Sequence, residues 1–300
     1  MGKDFEFERK RILTVHDLSC IGTASLGVAV PVLTAFGHEV VAFPSVILSS
    51  TTDIDPDPVA LETTHWMRQV VNRWKERNII FDAIYTGWLG GPKQIDLLTE
   101  LCEGSIHDRT TVFIDPVLGD GGQLYPCQEE LAKEMNRLVM KAQVITPNPT
   151  EAALLLKKRP QEYGVKEDGT INAALAEDMV ADLATAYPGT LAIVKSVVAE
   201  ESIGVSVRFT PDNTVNLQHP VTETILAKRT EKSSVGGTGD LFACLVVGNW
   251  LRQKLDRQSS KDDKLAIIKS SVETISNIME AVKRGNLNIL PFRSLLRLID

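Results

Sequence analysis

Residues Ser233–Trp250 read "SSVGGTGDLFACLVVGNW", three glycines, a threonine and one aspartate set directly ahead of an apolar run. Gly236, Gly237 and Gly239 permit backbone angles and close approaches that side chains forbid. A helix that begins near Thr238–Asp240 presents unpaired N–H groups and the positive end of its dipole, which together suit a phosphate-like anion. Asp240 in that field stays ionised, and an ionised acid beside an anion hole can take the proton of a hydroxyl that attacks a phosphoryl group. The same letters admit a plainer reading, in which Thr238 and Asp240 cap a helix and the glycines make a turn. The surrounding sequence has to separate the two.

Most of the chain alternates short β-rich runs with longer segments of helical spacing. "RILTVHD" precedes "SLGVAVPVLTAFG", "FDAIYTG" precedes "PKQIDLLTELCEG", and "TTVFIDPV" leads through a loop to "EELAKEMNRLVMKA". "QVITPN" precedes "TEAALLLKK", and the helical "NAALAEDMVADLATAY" precedes "GTLAIVKS". The alternation predicts an α/β fold with a mainly parallel sheet and helices on both faces. "SIGVSVRFTPDNTVNLQHPV" alternates, turns at "TPDN" and alternates again, which predicts an antiparallel hairpin at a sheet edge. Lys264–Val282 has helical spacing and predicts an outer helix. The acidic "STTDIDPDPVALE" reads as a surface loop or part of a substrate flap. At 300 residues the chain suits one α/β domain over 11–300 behind a short tail, 1–10.

A composition of 43% hydrophobic and 24% charged residues belongs to a globular chain with a sizeable core. The formal charge of -7, with lysines and arginines scattered, supplies no basic stripe for nucleic acid or an anionic membrane. The apolar stretch "ASLGVAVPVLTAFG" is too short to span a bilayer and contains Pro31, and "MGKDFEFERK" lacks the apolar core of a signal peptide. Cys20, Cys102, Cys127 and Cys244 show no metal-site spacing and read as reduced, mostly buried thiols, consistent with the cytoplasm.

Two further stretches place chemistry at strand ends, where parallel α/β sheets bind ligands. In "FIDPVLGDGGQLY", Asp115 and Asp120 suit a divalent cation that bridges nucleotide phosphates; an Asp-Pro turn followed by an Asp-Gly turn explains the same letters. In "VITPNPTEAALLL", Thr146, Asn148 and Glu151 lie between a strand and a helix, where Thr150 is also a good N-cap and Glu151 a good first-turn acid. Each plain reading survives in isolation.

Taken together and in order, "RILTVHDLSCIGTASLGVAVPVLTAFGHEVVAFPSVILSSTT", "FDAIYTGWLGGPKQI", "DPVLGD", "ITPNPTEA" and "GGTGDLFA" resemble the ribokinase-like superfamily of small-molecule kinases, in its vitamin B6 branch of pyridoxal and pyridoxamine kinases. The resemblance implies a three-layer α/β/α fold, ATP and Mg2+ as cofactors with a monovalent cation left open, a homodimer, and phosphorylation of a B6 vitamer at its 5'-hydroxymethyl group. It implies that Asp240 is the base and that Gly237, Thr238 and Gly239 form the anion hole. Asp115, Asp120 and Glu151 would act on the metal, and Asn148, Thr146 and Lys195 near metal and nucleotide. Asp17, Thr52 and Trp88 would line the pyridine pocket, with Trp88 able to stack on the ring. Tyr125 would belong to a lid over ATP.

Two departures qualify the resemblance. "SSTTD" stands where B6 kinases carry "STHTG", putting Thr51 and Asp53 in a flap of altered shape and charge; the added acid suits an amine-bearing vitamer. Lys195 stands where B6 kinases often have threonine and looks more like hydroxymethylpyrimidine kinases. Hydroxymethylpyrimidine phosphorylation, and a non-catalytic binder of a vitamer or nucleotide, are the competing expectations.

Overall fold

The computed structural model describes residues 8–104, 110–126, 128–230 and 235–285; Cys127, Ser233, Ser234 and the start of the expected tail lie outside them. In chain order the elements are β1 (Arg11–Ser19), α1 (Leu26–Ala35), β2 (Glu39–Leu48), β3 (Ala60–Glu62), α2 (Thr64–Glu76), β4 (Ala83–Thr86), α3 (Pro92–Gly104) and β5 (Thr111–Ile114). There follow β6 (Gly119–Asp120), β7 (Gln123–Leu124), α4 (Glu129–Val139), β8 (Val144–Ile145), α5 (Pro149–Leu155), β9 (Ile171–Asn172) and α6 (Ala173–Ala186). The chain continues through β10 (Leu191–Ala199), β11 (Ser202–Phe209), β12 (Val221–Lys228), α7 (Thr238–Arg252) and α8 (Lys261–Gly285).

The main sheet runs β12-β11-β10-β8-β5-β4-β1-β2-β3, with β9 beside β10, and a two-stranded sheet pairs β6 with β7. Pairing is parallel from β10 through β8, β5, β4 and β1 to β2, and antiparallel at the edges, β10-β11-β12 and β2-β3. The three-layer α/β/α expectation is met. The edge hairpin is present with a later return strand than the alternation implied. Its second arm is β12, starting at Val221, because Asn213 turns the chain inward: its side chain accepts from the Thr210 amide and donates to the Thr190 carbonyl.

The side-chain period of two sorts the central strands between two cores. Leu13, Val15, Ile84, Val112, Ile114, Ile145 and Val194 face α2 to α6, whereas Ile12, Ala83, Tyr85, Phe113, Val144 and Ile193 face α1, α7 and α8. Helix α7 is buried along nearly its whole length, which explains why its sequence is apolar all round rather than striped. Among the described residues no helix is long and apolar enough to cross a membrane.

Candidate active site

The parallel ladder continues for one bond beyond the central strands. Gly87 N donates to the Val15 carbonyl at 2.8 Å, Asp115 N to Thr86 at 2.8 Å and Thr146 N to Ile114 at 3.1 Å. His16, Gly87, Asp115 and Thr146 therefore stand in a row at the carboxyl edge of the sheet. His16 and Asp115 keep the parity of Ile12 and Phe113, so their side chains turn toward α7. Lys195 shares the parity of Ile193 and reaches the same edge because β10 bulges there: the register shifts between Val194 and Val197, and Ser196 adopts a left-handed φ of 55°.

The N-terminus of α7 faces this row. Gly237 is its N-cap with φ 79°, and a Cβ there would sit 2.6 Å from the Thr23 carbonyl, so the backbone angle and the approach of the β1-α1 loop both demand glycine. Thr238 Oγ1 donates to the Val235 carbonyl at 2.5 Å. The first helical bond runs from Leu241 N to Gly237 O at 2.9 Å, so the amides of Gly239 and Asp240 belong to the open first turn, where helices bind anions.

Asp240 does not cap its own helix. Its Oδ2 accepts from Ser25 N at 2.7 Å and its Oδ1 lies 3.2 Å from His16 Nε2. The plain capping reading of the opening stretch is thereby set aside. Burial alone would raise the Asp240 carboxyl, but the charge and hydrogen bond of His16, the Ser25 amide and the Lys195 charge bring it down to about 2.

Lys195 Nζ contacts both oxygens of Asp115, at 2.7 and 2.9 Å, and lies 3.3 Å from where a Cβ on Gly239 would be. Burial opposes its charge; the carboxylates of Asp115, Glu151 and Asp240 outweigh burial and hold the ammonium above its ordinary range. Asn148, not Thr150, is the N-cap of α5, in a capping box: Asn148 Oδ1 accepts from Glu151 N at 2.9 Å and Glu151 Oε2 from Asn148 N at 2.7 Å. Asn148 Nδ2 donates to the Gly119 carbonyl, and Thr150 Oγ1 accepts from Gly122 N, so both anchor the β6-β7 hairpin that carries Asp120. Glu151 is pushed well above the carboxylate range by burial, which outweighs the lowering by the Lys195 charge and the Asn148 amide, with smaller raising contributions from Asp115 and Asp120.

Among the described residues no three His, Cys, Asp or Glu side chains gather as a metal cage, so Asp115, Asp120 and Glu151 are not brought to one point. Asp120 is exposed and bonded to its neighbour Gly121 N. Asp17 is buried at the end of β1, Trp88 is half-buried after β4, and Tyr125 after β7 is 38% exposed. Thr52 is exposed, and Thr51 is the flap residue turned inward, its Oγ1 buried without a protein partner. Asp53 Oδ2 lies 3.6 Å from where a Cβ on Gly236 would be, so the flap reaches the glycine loop. Cys20 is exposed rather than packed, since it lies past the last core residue of β1; Cys244 is buried and its thiol pushed up by burial. His16 is the site residue that the sequence reading missed.

A carboxylate held ionised beside an open helix N-terminus, with a buried ammonium across the anion hole and carboxylates at the next strand ends, defines a small-molecule kinase of the ribokinase-like three-layer α/β/α class. The model of the phosphomethylpyrimidine kinase family matches residues 65–259, and the chain belongs to that family. It is 25% identical over 270 residues to the pyridoxine/pyridoxal/pyridoxamine kinase of Bordetella pertussis, covering 88% of this chain and 89% of that one. The crystal structure of pyridoxal kinase from Lactobacillus plantarum superposes with a TM-score of 0.80 at 25% identity, covering 97% of each chain. A Bacteroides thetaiotaomicron protein described provisionally as a phosphomethylpyrimidine kinase, and crystallised with pyridoxal, gives a TM-score of 0.76 at 26% identity over 98% of this chain and 96% of that one.

Proposed function

We propose that the chain transfers the γ-phosphoryl group of ATP to the 5'-hydroxymethyl group of a vitamin B6 vitamer, as a cytoplasmic enzyme with residues 11–300 acting as one kinase domain. The observation that carries this reading is the ionised Asp240 aimed across the mouth of its own helix rather than spent on capping it. Asp240 orients the hydroxyl and takes its proton, while the Gly237-Thr238-Gly239 turn, through the open amides of Gly239 and Asp240, and the Lys195 ammonium receive the phosphoryl oxygens; the Thr238 amide is held by the Val235 carbonyl. Phosphoryl transfer asks mainly for positioning and charge neutralisation, so a weakly basic carboxylate suffices.

The donor set fits Mg2+, which takes one or two carboxylates and completes its shell with water and phosphate oxygens. Asp115 and Glu151 are both buried, Lys195 is bonded to Asp115 alone, and burial holds the Glu151 carboxyl well above its ordinary range, so a bound cation would favour its ionised form. Because Asp115, Glu151 and the more exposed Asp120 do not converge on one point, one or two of them would hold the ion, with water and phosphate oxygens completing its shell, and the ion would neutralise charge on the transferring group. Thr146 and Tyr125 border the nucleotide, and Asp17, Thr52 and Trp88 the vitamer.

Purified protein with Mg-ATP and, separately, pyridoxal, pyridoxamine, pyridoxine and hydroxymethylpyrimidine is expected to give a B6 5'-phosphate by mass spectrometry. Product from hydroxymethylpyrimidine alone would establish the second reading, favoured by Lys195 in the anion hole; vitamer binding without any product would establish a binder. Asp53, beside the glycine loop, is expected to favour the aminomethyl vitamer. Asp53→Gly should lower the pyridoxamine-to-pyridoxal ratio of kcat/KM by about fivefold, the worth of one charge pair near a wet surface; an unchanged ratio removes that assignment.

A homodimer completes the proposal. Strand β3 ends the main sheet, and Val59, Leu61 and Ile21 around it are 79%, 61% and 61% exposed. An unpaired apolar edge is a pairing surface. Leu61→Asp is expected to convert a dimer to a monomer in light scattering coupled to size exclusion; an intact dimer would place the interface elsewhere.

A further inference from the structure

His16 is 1% exposed on β1, opposite Pro44 of β2 and one residue past the last β1-β4 register, Val15 with Thr86. Its Nδ1 lies 2.8 Å from Asp17 Oδ1 and its Nε2 3.2 Å from Asp240 Oδ1. An imidazole between two carboxylates satisfies both only when each ring nitrogen carries a proton and donates. The amides of Asp17 and Trp88, 3.0 and 3.2 Å from the same Nδ1, would suit a bare nitrogen instead. The carboxylates win, because a hydrogen bond between charged partners is roughly twice as strong as a neutral one, and more so away from water. Burial pushes the imidazole down; the Asp240 charge and the bonds to Asp17 and Asp240 override it and raise His16 to about 10.

The other titratable groups around this corner are Asp115 after β5, Lys195 on β10, Tyr85 on β4 with its ring centre 6.5 Å from the imidazole, and Cys244 on α7. Burial pushes Tyr85 and Cys244 upward, so both stay neutral, and Lys195 is occupied with Asp115. The backbone is shaped around the ring. A Cβ on Gly87 would fall 1.9 Å from His16 Cδ2 and 2.0 Å from Nε2, and Gly87 does not have a left-handed backbone, so its lack of a side chain serves the imidazole and not a turn.

We propose that His16 is a positioning residue, a cationic clamp that fixes the carboxylate of Asp240 toward the acceptor hydroxyl and ties it to Asp17 at the vitamer pocket. The proposal rests on the reading of Asp240 as the base. It makes the pocket carboxylate and the base two ends of one rigid unit, so that a vitamer seated against Asp17 meets a base already oriented. Phosphoryl transfer depends on such alignment, and misplacement by about 1 Å can cost about 100-fold in rate.

The test has an arm that needs no activity. In 15N-histidine-labelled protein, the His16 ring is expected to remain doubly protonated up to about pH 10, and to titrate lower in Asp240→Asn. In the kinetic arm, His16→Gln should lower kcat by about 10-fold to 100-fold with little change in KM for ATP, and should move the acid limb of kcat/KM upward, because Asp240 loses its cationic partner. Gly87→Ala, which leaves every polar group in place but displaces the ring, should reproduce both effects. A wild-type His16 that titrates near its ordinary value overturns the clamp. So do folded His16→Gln and Gly87→Ala proteins with wild-type kcat, or a loss confined to KM with an unmoved acid limb. If the wild type phosphorylates no vitamer, the B6 reading fails, and the ring titration still decides the clamp.

Discussion

Asp240→Asn is expected to lower kcat for vitamer phosphorylation by about 10² to 10⁴-fold, the range for loss of a positioned proton acceptor, with the fold intact. Asparagine keeps the shape and still accepts from the Ser25 amide that meets Oδ2, so the β1-α1 loop stays docked. It removes the charge, and with it the ability to take a proton. ATP affinity should hold or tighten, because one negative charge leaves the neighbourhood of a polyphosphate. This split between kcat and nucleotide binding separates a base from an anchor; a variant within about tenfold of wild type would remove Asp240 from the chemistry. The wild-type profile follows from the same pair. Asp240 is depressed from 3.8 to about 2, so its contribution to stability is present above 3.8 and lost as pH falls through about 2. His16 is raised from 6.5 to about 10, so its contribution is complete below 6.5 and lost as pH rises through about 10. Between those limits kcat/KM should show no limb from either group.

The fold was legible because its signals are periodic. Strands of period two and helices of period 3.6 alternate along the chain, and that alone implies a parallel sheet between helical layers. Asp115 was legible because a polar residue at the end of an apolar strand is conspicuous, Asp240 because one acid stands between a glycine cluster and an apolar run, and Lys195 because it departs from the threonine of B6 kinases. His16 was not, since a lone histidine closing an apolar strand reads as core; what marks it is long-range, Gly87 being 71 positions away and Asp240 224. The orientation of the flap was hidden for a similar reason. Thr51 and Thr52 are chemically alike, and which one turns inward depends on the turn in which Ile54 N and Asp55 N bond back to the Thr51 carbonyl. Thr150 looked like a cap, but the true cap is Asn148, because Pro149 fills the first helical position and moves the start of α5 back.

The same physics explains why a phosphate site needs so much buried charge. Asp17, Asp115, Glu151 and Asp240 converge from β1, β5, α5 and α7, with His16 and Lys195 as the two cations that answer them. Each cation is matched to a specific acid, His16 to Asp17 and Asp240, Lys195 to Asp115. Glu151 has the Asn148 amide, which lowers its carboxyl, but burial outweighs that bond and holds it well above the ordinary range. On the proposed reading, such a site would bind a divalent cation together with its nucleotide more readily than either alone, since the metal would relieve the carboxylates and the phosphates the ammonium.

Lys195→Met should expose that balance. Methionine keeps the length of the side chain and removes the ammonium that touches both Asp115 oxygens, so Asp115 is left buried without its counter-charge. Removing one partner of a buried pair costs about 3–5 kcal/mol, more than the deletion of an exposed ion pair. Burial already holds the Asp115 and Glu151 carboxyls above their ordinary range, and without the ammonium both rise further, so the variant's native state binds more protons relative to its unfolded state than the wild type's does. By linkage its stability falls as pH rises above the ordinary carboxylate range and recovers on acidification, more steeply than in the wild type, where the Lys195 ammonium lowers both carboxyls. Thermal unfolding of the two proteins across mildly acidic to neutral pH reads this directly. Turnover should fall as well, with weaker ATP binding as its first sign, because the lost ammonium lies beside Gly239 at the mouth of the anion hole. A variant as stable as wild type at neutral pH would mean that water already compensates Asp115, and that the lysine serves the nucleotide alone.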